Sequence, residues 1–166
     1  MHKSKLVAAF VLSTALLASC NTTTTPDNTA PGPKPAVDVT KVPDTDSLKA
    51  PMALTVGTAV DGLIAGQDRD VDYYAFDAVA GDKFRLTVTA PAGSTLDPYV
   101  QVWMPDGRTI LEKDDDSGAG LNSDLRFNVV TPGRYIITVT SFDIAREADA
   151  KDNKATNLYR LNLARR

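Results

Sequence analysis

Cysteine and histidine are nearly missing from this chain. Its 166 residues include one cysteine, Cys20, and one histidine, His2. A single cysteine cannot close an internal disulfide, so the fold must hold without covalent staples. With the only imidazole at position 2, the body of the chain has no Ser-His-Asp or Cys-His nucleophile system and no histidine-ligated zinc. Basic residues are not in surplus either: 18 Lys and Arg face 21 Asp and Glu, a formal charge of −3. That balance argues against a nucleic-acid partner. Beyond the first twenty residues no apolar run is long enough to span a bilayer.

What the chain does have begins at its N-terminus. His2, Lys3 and Lys5 precede an apolar run from Leu6 to Leu12, and the segment closes on Leu16-Leu17-Ala18-Ser19 before Cys20. A basic end, a short apolar stretch and a small-residue exit predict a secretory signal over residues 1–19. The ending Leu17-Ala18-Ser19-Cys20 resembles the bacterial lipobox. The resemblance implies cleavage before Cys20 and lipidation of its thiol and new amino terminus, with the membrane as a partner through the acyl chains. Cleavage would remove His2, Lys3 and Lys5, leaving an acidic chain with neither imidazole nor free thiol. More than one acyl chain gives stable anchoring, whereas one alone is marginal. The expected location is the bacterial envelope, at the outer membrane or cell surface rather than the inner membrane, since Asn21 and not aspartate follows the cysteine.

Residues 20–50 read as a tether. Asn21-Thr22-Thr23-Thr24-Thr25-Pro26 and Pro31-Gly32-Pro33-Lys34-Pro35 offer almost no large apolar side chains, too few to offset the entropy of ordering. The part from Val37 to Leu48 is open: it either continues the tether or lies against the domain.

From residue 51 to 166 the pattern turns to period two, the mark of half-buried strands. Phe84-Leu86-Val88 alternates with Arg85-Thr87-Thr89, and Tyr135-Ile137-Val139 with Ile136-Thr138-Thr140. Tyr159-Leu161-Leu163 alternates with Leu158-Arg160-Asn162, and Tyr99 to Met104 is apolar at nearly every position. Ala80-Gly81-Asp82, Pro105-Asp106-Gly107 and Thr131-Pro132-Gly133 supply turn chemistry between runs. The pattern predicts eight or nine strands near 54–60, 62–66, 71–78, 82–90, 98–104, 107–113, 124–130, 134–142 and 157–164, with a turn across 144–152. Short strands at this spacing make an all-β antiparallel sandwich or barrel. Trp103, Phe84, Phe127, Tyr135 and Leu161, with Phe76, are the expected core.

Six phrases in order resemble the bacterial pre-peptidase C-terminal domain. They include Asp70-Val71-Asp72-Tyr73-Tyr74-Ala75-Phe76 after Gly62-Leu63-Ile64, then Ala80-Gly81-Asp82-Lys83-Phe84 and Leu96-Asp97-Pro98-Tyr99-Val100. Pro105-Asp106-Gly107, Asp114-Asp115-Asp116 and Thr131-Pro132-Gly133-Arg134-Tyr135 complete the series. The resemblance covers about residues 53–165. It implies a jelly-roll-like β-sandwich, usually an appendage of secreted hydrolases serving substrate binding, secretion or stability, and often carrying calcium. The matched motifs are not those of a protease, so no proteolytic activity comes with them.

Two acidic groups invite a cation. Asp68, Asp70 and Asp72 alternate along one extended segment, and calcium takes six to eight oxygens from such clusters. Asp114, Asp115 and Asp116 adjoin a glycine-bearing loop that ends with Asn122, Ser123 and Asp124, and this loop is the favoured calcium site. The spacing is not that of an EF-hand. The alternative at both places is a solvated loop whose side chains cap turns. Asp97, before Pro98, reads as a turn former. Among Tyr73, Tyr74, Tyr99 and Trp103, strand aromatics that more commonly pack inward, Tyr73 and Tyr99 are the expected exposed ligand contacts. The functional expectation is a non-catalytic, lipid-anchored module that binds a protein, peptide or polysaccharide of the envelope, with structural calcium. The alternatives are an envelope protein of purely structural role and an accessory subunit of a secreted hydrolase.

Overall fold

The computed structural model describes Val42 and residues 45–166; Cys20 and the signal and tether expected before Val42 lie outside the described residues. Nine strands and one short helix follow in order: β1 Met52–Ala53, β2 Val60–Leu63, β3 Asp72–Ala78, β4 Lys83–Thr89, β5 Pro98–Trp103, β6 Ile110–Asp114, β7 Ser123–Asn128, β8 Gly133–Ser141, α1 Phe142–Arg146 and β9 Leu158–Arg165. They form a five-stranded sheet, β1-β3-β8-β5-β6, and a four-stranded sheet, β2-β9-β4-β7. The described residues form an all-β sandwich of nine strands.

Alternation decides which side of each strand meets the other sheet. In β4, Phe84, Leu86 and Val88 are fully buried, as are Tyr135, Ile137 and Val139 in β8 and Tyr159 and Leu161 in β9. Phe76 sits among Phe84, Phe127 and Tyr135 with ring centroids 5.3 to 6.2 Å apart. Each large apolar side chain so buried contributes about 1.5–3 kcal/mol. Tyr135 keeps its polar tip satisfied by donating to the Thr131 carbonyl at 2.7 Å.

The loops divide between two ends of the sandwich. Connections 79–82, 104–109 and 129–132 lie at one end with the C-terminus, and the longer connections 64–71, 90–97, 115–122 and 142–157 lie at the other. In the 104–109 hairpin the Asp106 carboxylate accepts from the backbone N–H groups of Arg108 and Thr109, both at 2.9 Å. Gly107 there takes a φ of +63°, as a Pro-Asp-Gly turn requires.

Two expectations need correction. Residues 54–59 are not strand; the chain pairs only at Met52–Ala53 before Gly57 donates to the Leu163 carbonyl. That short β1 pairing with β3 is parallel, and every other strand pairing among the described residues is antiparallel, as expected. Trp103 is not core: it lies on the outward side of β5, while Val100 and Val102 point in. An apolar strand read without its sheet position does not reveal which alternate set faces the partner sheet.

Candidate functional site

Cross-strand register builds a groove on the outer face of the five-stranded sheet. Thr138 on β8 stands opposite Tyr73 on β3 and Gln101 on β5, while Tyr99 pairs with Thr140 and Trp103 with Ile136. Tyr73, Tyr99, Gln101 and Trp103 are all half-buried and share one volume of about 440 Å³ with Ile136, Thr138 and Thr140. Trp103 donates through Nε1 to Thr138 Oγ1 at 3.3 Å, which fixes the indole against the sheet. Tyr73 and Tyr99, the two expected ligand contacts, both line this groove; Tyr74 is instead buried. A concave, largely aromatic surface with a few hydroxyl and amide groups is the composition of a binding site.

One wall of the groove depends on Arg69. Leu48, Ile144 and Ala145 close that side, the last two from α1, whose N-cap Ser141 accepts from Ile144 N at 3.3 Å. At the other end of α1 the Arg69 guanidinium donates to the carbonyls of Ile144, Glu147 and Ala150 at 2.6 to 2.9 Å. A cation on the C-terminal carbonyls of a helix satisfies acceptors that lack intrahelical donors. Thr140 Oγ1 donates to the Asp70 carbonyl at 2.7 Å, tying the 65–71 loop to β8.

Behind this wall lies a buried acidic cluster. Asp72, 1% exposed, accepts from Thr45 Oγ1 and Tyr159 OH, and Tyr159 OH lies 2.6 Å from Tyr74 OH. Desolvation pushes the Asp72 carboxyl up to about 6 against those stabilising bonds. Asp70 is also 1% exposed; one oxygen accepts from Ala65 N at 2.6 Å, and Oδ1 is buried with no hydrogen-bond donor. Burial first, then the Asp46 and Asp72 charges, raise Asp70 to about 7. A buried carboxylate oxygen without a donor is costly, and a proton or a cation relieves it.

The second acidic group is built differently. Asp124 forms a two-pronged ion pair with Arg85, Nε and Nη2 both at 2.7 Å, on the outer face of the other sheet. Asp114 accepts from Asp124 N at 2.7 Å and Ser117 Oγ at 2.6 Å. Asn122 receives Ala90 N at 2.7 Å and donates to the Ala119 carbonyl at 2.6 Å. Asp115 accepts from Asp116 N at 3.0 Å. Asp114, Asn122 and Asp124 organise the loop and its ion pair. The Asp97 carboxyl, read as a turn former, has a buried Oδ1 without a donor, and burial followed by the charges of Asp115, Asp143 and Asp116 raises its pKa. Among the described residues no three His, Cys, Asp or Glu side chains stand as a ready-made metal cage.

Residues 70–141 match the family model of the bacterial pre-peptidase C-terminal domain. The matched span is somewhat less than half of the chain. It begins at the buried Asp70 and ends at Ser141, the cap of α1, so it contains both the groove strands and the acidic cluster's centre. A probable subtilase-type serine protease of Deinococcus radiodurans is 30% identical over 91 residues, 54% of this chain and 12% of that protein. The chain thus corresponds to a small part of that relative's length. The pre-peptidase C-terminal domain of a collagenase from Bacillus anthracis superposes with a TM-score of 0.51 at 17% identity, covering 69% of this chain and 94% of that one. A surface-associated copper-binding protein of Methylomicrobium album BG8 gives 0.52 at 11% identity, covering 70% and 98%. At such identities these two structures establish the shared sandwich alone.

Sequence reasoning missed Thr45 and Asp46, which fall in the stretch left open as tether. Thr45 is 5% exposed, and its carbonyl accepts from Tyr73 N at 2.9 Å. The signal was weak but present: Thr45-Asp46-Ser47 is turn chemistry, and Thr45 bonds Ser47 N through its carbonyl.

Proposed function

We propose that this protein is a non-catalytic envelope module, lipid-anchored at Cys20, whose domain binds an extended peptide segment of a partner protein in the Tyr73–Tyr99–Trp103 groove. The observation that carries this reading is the convergence of three half-buried aromatic rings from β3 and β5 on one groove. Rigid aromatic side chains provide contact area at low entropic cost and dominate binding surfaces. Thr138, Thr140 and Gln101 supply polar contacts along the same face. The match of residues 70–141 to the pre-peptidase C-terminal domain, and a surface-associated protein on the same fold, support a binding role in the envelope.

Calcium would be held at the Asp70 end. The unpartnered Oδ1 of Asp70, with Asp46 and Asp72 beside it, fits a hard cation that takes carboxylate and backbone oxygens. Its contribution would be to fix the 65–71 loop on which Arg69 and the α1 wall depend.

Panning a random peptide library on the full chain, in parallel with the Tyr99→Ala/Trp103→Ala double variant, tests the binding reading. Peptides that bind the native protein and lose about tenfold or more on the double variant support it, since aromatic anchors carry such losses. Peptides that bind both proteins equally would overturn it. Retention of soluble envelope glycan by the native groove, with no peptide enriched, would move the ligand to polysaccharide.

A further inference from the structure

We infer that the end of the sandwich formed by loops 79–82, 104–109 and 129–132 is a contact surface for an anionic phospholipid bilayer. Two of the most exposed large apolar side chains of the described residues stand there, Val79 at 61% and Val130 at 68% exposure. Their loops are joined: Gly81 N donates to the Val129 carbonyl and Val129 N to the Asp82 carbonyl, both at 2.8 Å. The 104–109 hairpin abuts the same place, because a Cβ on Gly133 would meet Pro105 at 2.9 Å. Ile110, 39% exposed, sits at the base of that hairpin.

Cations surround this apolar tip. Lys83, Arg108 and Arg134 are exposed on the three loops or their first strand residues, and Arg165 and Arg166 end the chain beside them. Arg166 N donates to the Lys83 carbonyl at 2.9 Å, which fixes the terminus at this end. Of the nearby acids, Asp82 pairs with Arg165, Asp77 stands opposite Arg134 across β3 and β8, and Asp106 is occupied within its own turn. The opposite end has the reverse sign: Asp68, Asp97, Asp114 to Asp116, Asp143 and Glu147 crowd its loops. Arg69, Arg146, Lys151 and Lys154 lie among these acids but are outnumbered by them, so the domain is basic at one end of the strand axis and acidic at the other. That polarity orients it toward an anionic surface, each Lys or Arg near such lipid adding a favourable increment while the acidic end is repelled. Exposed valines among cations then enter the headgroup layer, as apolar side chains at an interface do.

Lipid anchoring at Cys20, as proposed above, would make the contact an intramolecular one. This inference rests on the anchored reading only for proximity to lipid and is independent of the groove.

The test uses the full chain with Cys20→Ser and Val130→Cys, labelled at position 130 with an environment-sensitive fluorophore. A control carries the label at Asp149→Cys in the acidic end. Both are mixed with nitroxide-lipid vesicles of phosphatidylglycerol and phosphatidylcholine, or of phosphatidylcholine alone. Because residues 1–19 can hold either protein on either vesicle, the readout is quenching at the label and not the amount bound. The expected result is quenching at position 130 on the anionic vesicles only, lost in high salt and lost with Arg108→Glu/Arg166→Glu, and none at position 149. Equal quenching at both positions, or none at 130 on anionic vesicles, would overturn the inference while leaving the anchor itself intact.

Discussion

Tyr159 on β9 donates its hydroxyl to the buried carboxylate of Asp72 on β3, so one hydrogen bond crosses the sandwich from the four-stranded to the five-stranded sheet. The same carboxylate holds Thr45 Oγ1, which brings the segment before β1 onto the domain. Tyr74 OH completes the row at 2.6 Å from Tyr159 OH. Two strands and an entering segment thus share one buried acid. Tyr159→Phe removes a donor and leaves Asp72 Oδ2 unsatisfied. The expected cost is about 1–3 kcal/mol, read as a lower urea midpoint with unchanged slope.

Gly62 is required by the same ring. A Cβ placed there would lie 2.1 Å from the Tyr159 Cζ, in a position where the ring is fully buried and cannot swing away. Gly62→Ala should therefore destabilise by about 1–3 kcal/mol, the usual range for overpacking. Pairing it with Tyr159→Ala, which vacates the space, should yield a total loss smaller than the sum of the two single losses. Chemical denaturation of the four proteins of that cycle checks both statements.

Asp70 and Asp72 set the pH dependence in chelator. Both folded pKa values are raised, to about 7 and about 6, above the unfolded value near 3.8. The folded state then holds more protons than the unfolded state between these limits. Their contribution is present in full below about pH 4 and is lost as pH rises through 6 to 7. Asp82, Asp106 and Asp124 have lowered values, so their contribution fades in strong acid. Thermal unfolding should show its maximum near pH 4–5, and Asp70→Asn should flatten the fall between pH 5 and 7. A native protein more stable at pH 7.5 than at pH 5 in chelator would contradict this.

Calcium should reverse that penalty at neutral pH. A ligand that binds only the native state stabilises by mass action, by about 2.7 kcal/mol at a hundredfold excess over Kd. The melting temperature is expected to rise in millimolar calcium relative to chelator and to lose that rise in Asp70→Asn. Retention of the rise in Asp70→Asn with its loss in Asp97→Asn would instead place the ion at the second orphaned oxygen.

The sandwich was largely legible because period-two alternation is a local property. Phe84-Leu86-Val88 and Tyr135-Ile137-Val139 could face only a buried layer, and their turns were written in Pro, Asp and Gly. Trp103 escaped because the fully apolar run from Tyr99 to Met104 carries no alternation to read. The site was legible in types but not in pairings. Asp124 looked like a loop ligand until register set it on the same outer face as Arg85, and Asp70 became singular only through burial that no local pattern encodes. Thr45 was hidden in a polar stretch, and the partner of its side chain, Asp72, is 27 residues away.

Trp103 makes the central claim directly measurable. It is the chain's only tryptophan and it lines the groove, so its emission reports occupancy of that surface without a label. Titration of the native protein with a peptide selected on it should shift or quench the Trp103 emission in a saturable way. Tyr99→Ala should weaken the apparent affinity about tenfold or more while leaving the unfolding midpoint in place. A peptide that binds with unchanged Trp103 emission, and as tightly to Tyr99→Ala, would contradict the assignment of the groove as the binding site.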